Sequence, residues 1–160
     1  MAGIARRSLL GGTAAAVLVG TAPARAASST MIISKDPNCG CCSGWVEHVR
    51  AAGFDTRLHE LSDLASVKAR LAIPPALAAC HTAEIDGYVI EGHVPAAAIK
   101  RLLAERPAAI GLAVPGMPVG SPGMEVPGAS DEPYDVMLFG PSIQKVYARF
   151  KGAQEIPLRF

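Results

Sequence analysis

The chain has 160 residues, half of them hydrophobic, and a formal net charge of +1, which suits one compact domain with its own core. The balanced charge lacks the basic footprint of a nucleic-acid binder. No apolar run approaches the roughly 20 residues that a membrane-spanning helix needs.

Residues 1–26 read as an export signal. Arg6 and Arg7 precede an apolar run, Leu9 to Val19, and Ala24-Arg25-Ala26 offers a small-x-small cleavage site. Arg6-Arg7-Ser8-Leu9-Leu10 also fits a twin-arginine signal, which exports a protein already folded; an ordinary secretory signal with two arginines is the other reading. Cleavage removes three arginines and no acid, taking the formal charge from +1 to −2. Residues 27–160 are then expected to form a single periplasmic domain with no membrane span. In such an oxidising compartment four cysteines suffice for two structural disulfides. A domain of about 130 residues seldom needs such staples, however, and neighbouring Cys41 and Cys42 would make a strained pair.

The first expected strand is Met31 to Ser34. Cys39-Gly40-Cys41-Cys42 follows as a loop, and Ser43 to Ala52 reads as a helix with Trp45, Val46 and Val49 inward. Phe54 to His59 alternates apolar and polar residues, predicting a second strand. Ser62 is a plausible N-cap for a helix carrying Leu64, Val67 and Leu71, which Pro74-Pro75 stops. His81 to Ile85 and Tyr88 to Glu91 read as a hairpin around Asp86-Gly87. Pro95 suits the first turn of a third helix with Ile99, Leu102 and Leu103 inward. The order is βαβαββα, that of a thioredoxin-like α/β domain. Between Gly111 and Pro133, five glycines and five prolines in 23 residues interrupt any period, so a long functional loop is expected. Tyr134 to Phe139 and Ile143 to Phe150 then read as two C-terminal strands.

This topology brings distant residues to one edge. The first strand ends at the cysteine cluster, and an antiparallel third strand starts on the same edge with Cys80 and His81. The fourth strand returns there with Glu91, Gly92 and His93. Three thiols within four residues exceed what a simple redox pair needs and suit soft-metal binding, because thiolates can bridge two ions as well as chelate one. A helix N-terminus favours thiolate. Cysteine and methionine sulfur select Cu(I), and imidazole accepts either copper oxidation state. The loop repeats Pro115-Gly116-Met117 as Pro122-Gly123-Met124, placing two thioethers where they can close over the cysteine edge as a lid. The candidate ligands are Cys39, Cys41, Cys42, Cys80, His81, His93, Met117 and Met124. They exceed the needs of one three- or four-coordinate ion, so several Cu(I) ions sharing bridging sulfurs are expected.

Other readings compete. Cys39 and Cys42 form a C-x-x-C pair, which on this frame suggests a thiol-disulfide oxidoreductase with Cys80 as resolving thiol. A mixed case cycles copper between Cu(II) and Cu(I). Zinc fits a Cys/His set in composition, but the packed triplet and paired methionines argue against it. His48 and His59 read as solvated, Met31 and Met137 as core, and Glu91 as facing water.

Lys35-Asp36-Pro37-Asn38-Cys39-Gly40-Cys41-Cys42, with Cys80-His81-Thr82-Ala83, Gly87-Tyr88, Glu91-Gly92-His93-Val94-Pro95 and Val114 to Met124, resembles the CopG-like family of bacterial copper-resistance proteins, long described as a domain of unknown function. The likeness covers about residues 31–150. It implies a thioredoxin-like fold, an exported location and copper binding connected with copper tolerance; the candidate partners are copper ions and another exported copper-handling protein. The family's metal-binding cysteines map onto Cys39, Cys41, Cys42 and Cys80, and its Cys-His, Gly-His and Pro-Gly-Met positions are present. Pro75 to Ala79 carries alanine where a serine or similar polar residue is expected, a minor departure. These motifs leave storage, redox conversion and delivery open.

Overall fold

A computed structural model describes residues 29–158; the expected signal, residues 1–26, lies outside them. The first half follows the expected order: β1 (Met31–Lys35), α1 (Gly40–Ala51), β2 (Thr56–Glu60), α2 (Leu64–Arg70), β3 (His81–Ile85), β4 (Tyr88–Glu91) and α3 (Ala96–Glu105). After α3 come β5 (Gly111–Ala113), β6 (Pro133–Gly140), β7 (Ile143–Lys151) and β8 (Gln154–Ile156). All eight strands form one sheet in the order β2-β1-β3-β4-β5-β6-β7-β8. β1 and β2 are parallel, as a βαβ crossover requires, and β3 is antiparallel to β1. The β3–β4 turn is Asp86-Gly87, both with positive φ, the geometry of a two-residue hairpin.

Alternation along the strands divides the apolar side chains between two faces. Ile90, Leu112 and Leu138 join the larger cluster with Trp45, Val46 and Val49 of α1 and Ile99 and Leu102 of α3. Their neighbours Val89, Ala113 and Phe139 point the other way, onto Ile73 and Leu77 from the segment after α2. Both faces of the central strands are therefore covered. Met31 lies fully within the core, as expected, whereas Met137 is only half-buried, packed against the smaller cluster.

Several boundaries differ from the sequence reading. α1 begins at Gly40, so Cys41 and Cys42 occupy its first turn and Cys39 is the extended N-cap residue. Glycine and cysteine are weak helix formers, and the turn closed by Cys39 N–H to Asp36 O (3.1 Å) launches the helix in their place. α2 is capped by Asp63, whose carboxylate accepts from Ser66 N (3.2 Å), not by Ser62. Leu64, Val67 and Leu71 are half-buried rather than core. The supposed loop after Ile110 opens with β5, which pairs in parallel with β4 and antiparallel with β6. Three residues are too few to show a strand period, and the same holds for β8. β5 lets the C-terminal hairpin extend the central sheet instead of merely covering it.

Candidate metal centre

The ends of β1 and β3 meet through the pairing of Lys35 with His81. That register places the first turn of α1 beside Cys80 and His81, and the hairpin returns His93 to the same edge. The sulfurs of Cys39, Cys41, Cys42 and Cys80 all lie within 4.8 Å of one another, and so do ligand atoms of Cys80, His81 and His93. Among the described residues these are the two sets of three or more cysteine, histidine or acidic side chains close enough to hold a metal ion, and they share Cys80.

Cys39 and Cys42 are joined by a disulfide, while Cys41 and Cys80 are free and half-buried. Cys41 Sγ stands 3.5 Å from Cys39 Sγ. Cys42 Sγ stands 3.8 Å from the carbonyl oxygen of Cys80. Cys80 Sγ is 3.0 Å from His93 Nε2 and 3.4 Å from His81 Nδ1. Burial pushes the Cys80 thiol up to about 12, and Cys41 pushes in the same direction. The metal-free site thus holds Cys80 protonated, and a metal that takes its sulfur must release that proton.

Both histidines are fully buried and held neutral. Burial holds His81 well below its ordinary range, and His93, Lys68 and Lys35 reinforce the effect. Burial likewise lowers His93, against the opposing pull of the Pro122 carbonyl and Glu125. Because a carbonyl only accepts, the 2.8 Å contact of His93 Nδ1 with Pro122 O places the proton on Nδ1. Nε2 is left as a bare lone pair facing Cys80, the tautomer a metal ligand requires. His81 packs against Trp45 with ring centroids 4.4 Å apart and the ring planes tilted by 42°. Its Nε2 is buried with no hydrogen-bond partner among the described residues, an orphaned donor or acceptor of the kind a bound group would satisfy. Free thiols, bare imidazole nitrogen and an orphaned buried nitrogen together fit a soft or borderline cation.

The two Pro-Gly-Met repeats are placed differently. Pro122-Gly123 lies directly on α1: a Cβ on Gly123 would sit 2.5 Å from Trp45 N and 2.6 Å from Cys41 O, and one on Gly44 would sit 2.9 Å from Gly123 Cα. Met124 is half-buried beside that contact, within a turn closed by Gly120 N–H to Met124 O (2.9 Å). Gly116 has no neighbour near its missing Cβ, and Met117 is 54% exposed. The loop therefore covers the cysteine edge with its second repeat and leaves its first toward solvent.

Two expectations are corrected here. Glu91 does not face water; it is fully buried and accepts from Ala79 N (2.6 Å), Thr82 Oγ1 (2.6 Å) and Lys68 Nζ. His48 is half-buried, and its Nε2 accepts from Ala96 N (3.0 Å) at the start of α3; burial lowers it, opposed by Glu125. His59 is exposed, as expected. Lys68 escaped the sequence reading altogether. Its signal was its spacing, four residues beyond Leu64, which puts a lysine on the apolar face of α2.

A family model described as a protein of unknown function, DUF411, matches residues 77–124, the stretch that holds Cys80, His81, His93 and both Pro-Gly-Met repeats. Two solved structures are similar over most of the chain. Copper resistance protein copG, form 2, is 43% identical with a TM-score of 0.73, covering 78% of this chain and 99% of that one. Form 1 is 44% identical with a TM-score of 0.71, covering 77% and 98%. No curated protein matches.

Proposed function

Because the chain belongs to the CopG-like family of copper-resistance proteins, we propose that it is an exported, periplasmic copper-binding protein that sequesters Cu(I) through a Cys/His/Met site. The observation that carries this reading is the shared position of Cys80, whose sulfur belongs both to the four-cysteine set and to the Cys-His-His set. A sulfur so placed can bridge ions held on either side, which supports a site for more than one copper. Cys41, Cys80, His81 and His93 would supply ligands, joined by Cys39 and Cys42 once their disulfide is reduced, with Met124 beside them and the solvent-facing Met117 folding inward to close the site. The βαβαββα order and the strand order β2-β1-β3-β4 support a thioredoxin-like frame. Residues 1–26 would be the export signal and 27–160 the single metal-binding domain. No described helix is long and apolar enough to cross a membrane, and a second exported copper-handling protein would take or supply the metal.

Anaerobic titration of reduced protein with Cu(I), against a chromophoric competitor, tests the proposal. More than one Cu(I) per chain is expected, with sulfur scatterers at about 2.3 Å by X-ray absorption, the order typical of metal–thiolate bonds. One weak site, or none, rejects it.

The Cys39–Cys42 disulfide favours a second reading, thiol-disulfide oxidoreduction. Closing that disulfide releases two electrons, enough to reduce two Cu(II) to two Cu(I) as the two thiols lose their protons. Turnover of a disulfide substrate by metal-free protein would favour a purely thiol-based role. Loss of the Cu(II) paramagnetic signal in step with disulfide formation would favour copper redox cycling.

A further inference from the structure

Three donors converge on one buried carboxylate behind Cys80. Glu91 Oε1 accepts from the backbone N–H of Ala79 and from Lys68 Nζ, and Oε2 accepts from Thr82 Oγ1. Thr82 Oγ1 in turn accepts from Lys68 Nζ at 2.9 Å. Ala79 immediately precedes Cys80, in a segment that is neither helix nor strand. Glu91 thus holds the Ala79 N–H of that irregular segment with its side chain. The next residue reinforces the contact: Gly92 has φ 70°, and a Cβ there would sit 2.5 Å from Ala79 Cβ and 2.7 Å from Val114 O. On the other side, Gly92 N–H donates to His81 O (3.0 Å). Cys80 is therefore bracketed by the end of β4 through both of its neighbours.

A buried ion pair is a poor source of net stability, because desolvation of two charges offsets their attraction and an apolar pair often serves as well. What the charges supply here is direction. The carboxylate aims at one backbone N–H, and Lys68 allows a carboxylate to stand at full burial. Groups that orient a metal ligand from behind have large effects on binding without touching the ion. We propose that Glu91 is a positioning residue that fixes Ala79 and thereby sets where Cys80 presents its sulfur to His93 and the cysteine triplet, with Lys68 as its counter-charge. The proposal rests on Cys80 being a copper ligand.

The test compares two double variants with the wild type. E91L/K68M removes both charges and the acceptor while keeping the volume filled; E91Q/K68M removes the charges but restores an acceptor for Ala79 N–H. Cu(I) affinity is read by competition on the reduced protein. Alkylation of Cys80 by iodoacetamide is read on metal-free, disulfide-intact protein carrying Cys41→Ser, in which Cys80 is the free thiol. E91L/K68M is expected to lose about 10–100-fold in Cu(I) affinity and to alkylate faster, while E91Q/K68M recovers both toward wild type. Folded E91L/K68M with wild-type affinity and wild-type alkylation overturns the proposal. If that variant does not fold, Thr82→Val takes its place, since it frees Oε2 without burying a lone charge. A smaller loss of the same kind supports the proposal, and no change overturns it. Wild-type protein that takes up no Cu(I) would sink the copper reading instead, and the alkylation rates would still decide the role of Glu91.

Discussion

Replacing Gly123 with alanine should lift the loop off α1 and weaken copper binding without unfolding the domain. Gly123 has φ 85°, and the new Cβ would lie 2.5 Å from Trp45 N and 2.6 Å from Cys41 O. A left-handed backbone costs an L-residue about 1–2 kcal/mol, and forcing a methyl into packed backbone costs about 1–3 kcal/mol. Together these come to roughly 2–5 kcal/mol. What holds the loop at this point includes the His93 Nδ1–H to Pro122 O bond, a contact worth about 1 kcal/mol net. Trp45 N and Cys41 O belong to a helix locked by the buried Trp45 side chain, so the loop yields before the helix does. The loss in global stability is then limited to the docking energy, on the order of 1–2 kcal/mol. His93 loses the carbonyl that fixes its tautomer, and Cu(I) affinity should fall about 10–100-fold. Competition titration reads the affinity, thermal melting the stability, and nitrogen chemical shifts the His93 tautomer. Gly116→Ala is the control: it carries the cost of its positive φ of 71° but meets no atom within 4 Å. Wild-type affinity in Gly123→Ala, or an equal loss in Gly116→Ala, would refute the reasoning.

Three further outcomes follow from the buried groups. His48, His81 and His93 all have their folded values lowered, chiefly by burial, so the unfolded chain binds more protons below its ordinary histidine range. Stability of the metal-free protein should be full above about pH 6.5 and decline as pH falls below it; a melting temperature that rises between pH 7 and pH 5 contradicts this. Cys80, with its thiol pushed up to about 12, should stay largely unmodified by iodoacetamide at pH 8 while the unfolded chain labels readily. Rapid labelling of Cys80 in the folded protein, read by peptide mass spectrometry, would contradict that placement. Trp45→Phe removes the 2.9 Å bond from Nε1 to Val94 O and opens space in the core. It should cost about 1–3 kcal/mol in a denaturant titration, and an unchanged midpoint would show that the bond contributes nothing.

Much of the first half was legible because its signals are local. The hairpin at Asp86-Gly87 and the strands on either side match the expected residues, since turn chemistry and alternation act over a few neighbours. The convergence of the cysteine triplet, Cys80-His81 and His93 followed from strand direction alone, because two antiparallel reversals must bring those ends together. Where the reading failed, the missing information was not local. β5 has three residues and no period of its own; it is a strand because β4 and β6 flank it. Glu91 looked solvated beside a glycine and a histidine, and only the arrival of Lys68 from α2 makes its burial tolerable.

The amino-acid sequence by itself determined the order of elements through Glu105 and the chemistry gathered at one sheet edge, since propensity, alternation and cysteine spacing are written in adjacent residues. The tertiary structure alone decided which of the two identical Pro-Gly-Met repeats rests on the cysteine helix, which nitrogen of His93 carries its proton, and that Glu91 stands behind Cys80. Each of those depends on a close approach between segments far apart in the chain, where packing and hydrogen-bond satisfaction, not local pattern, select the outcome.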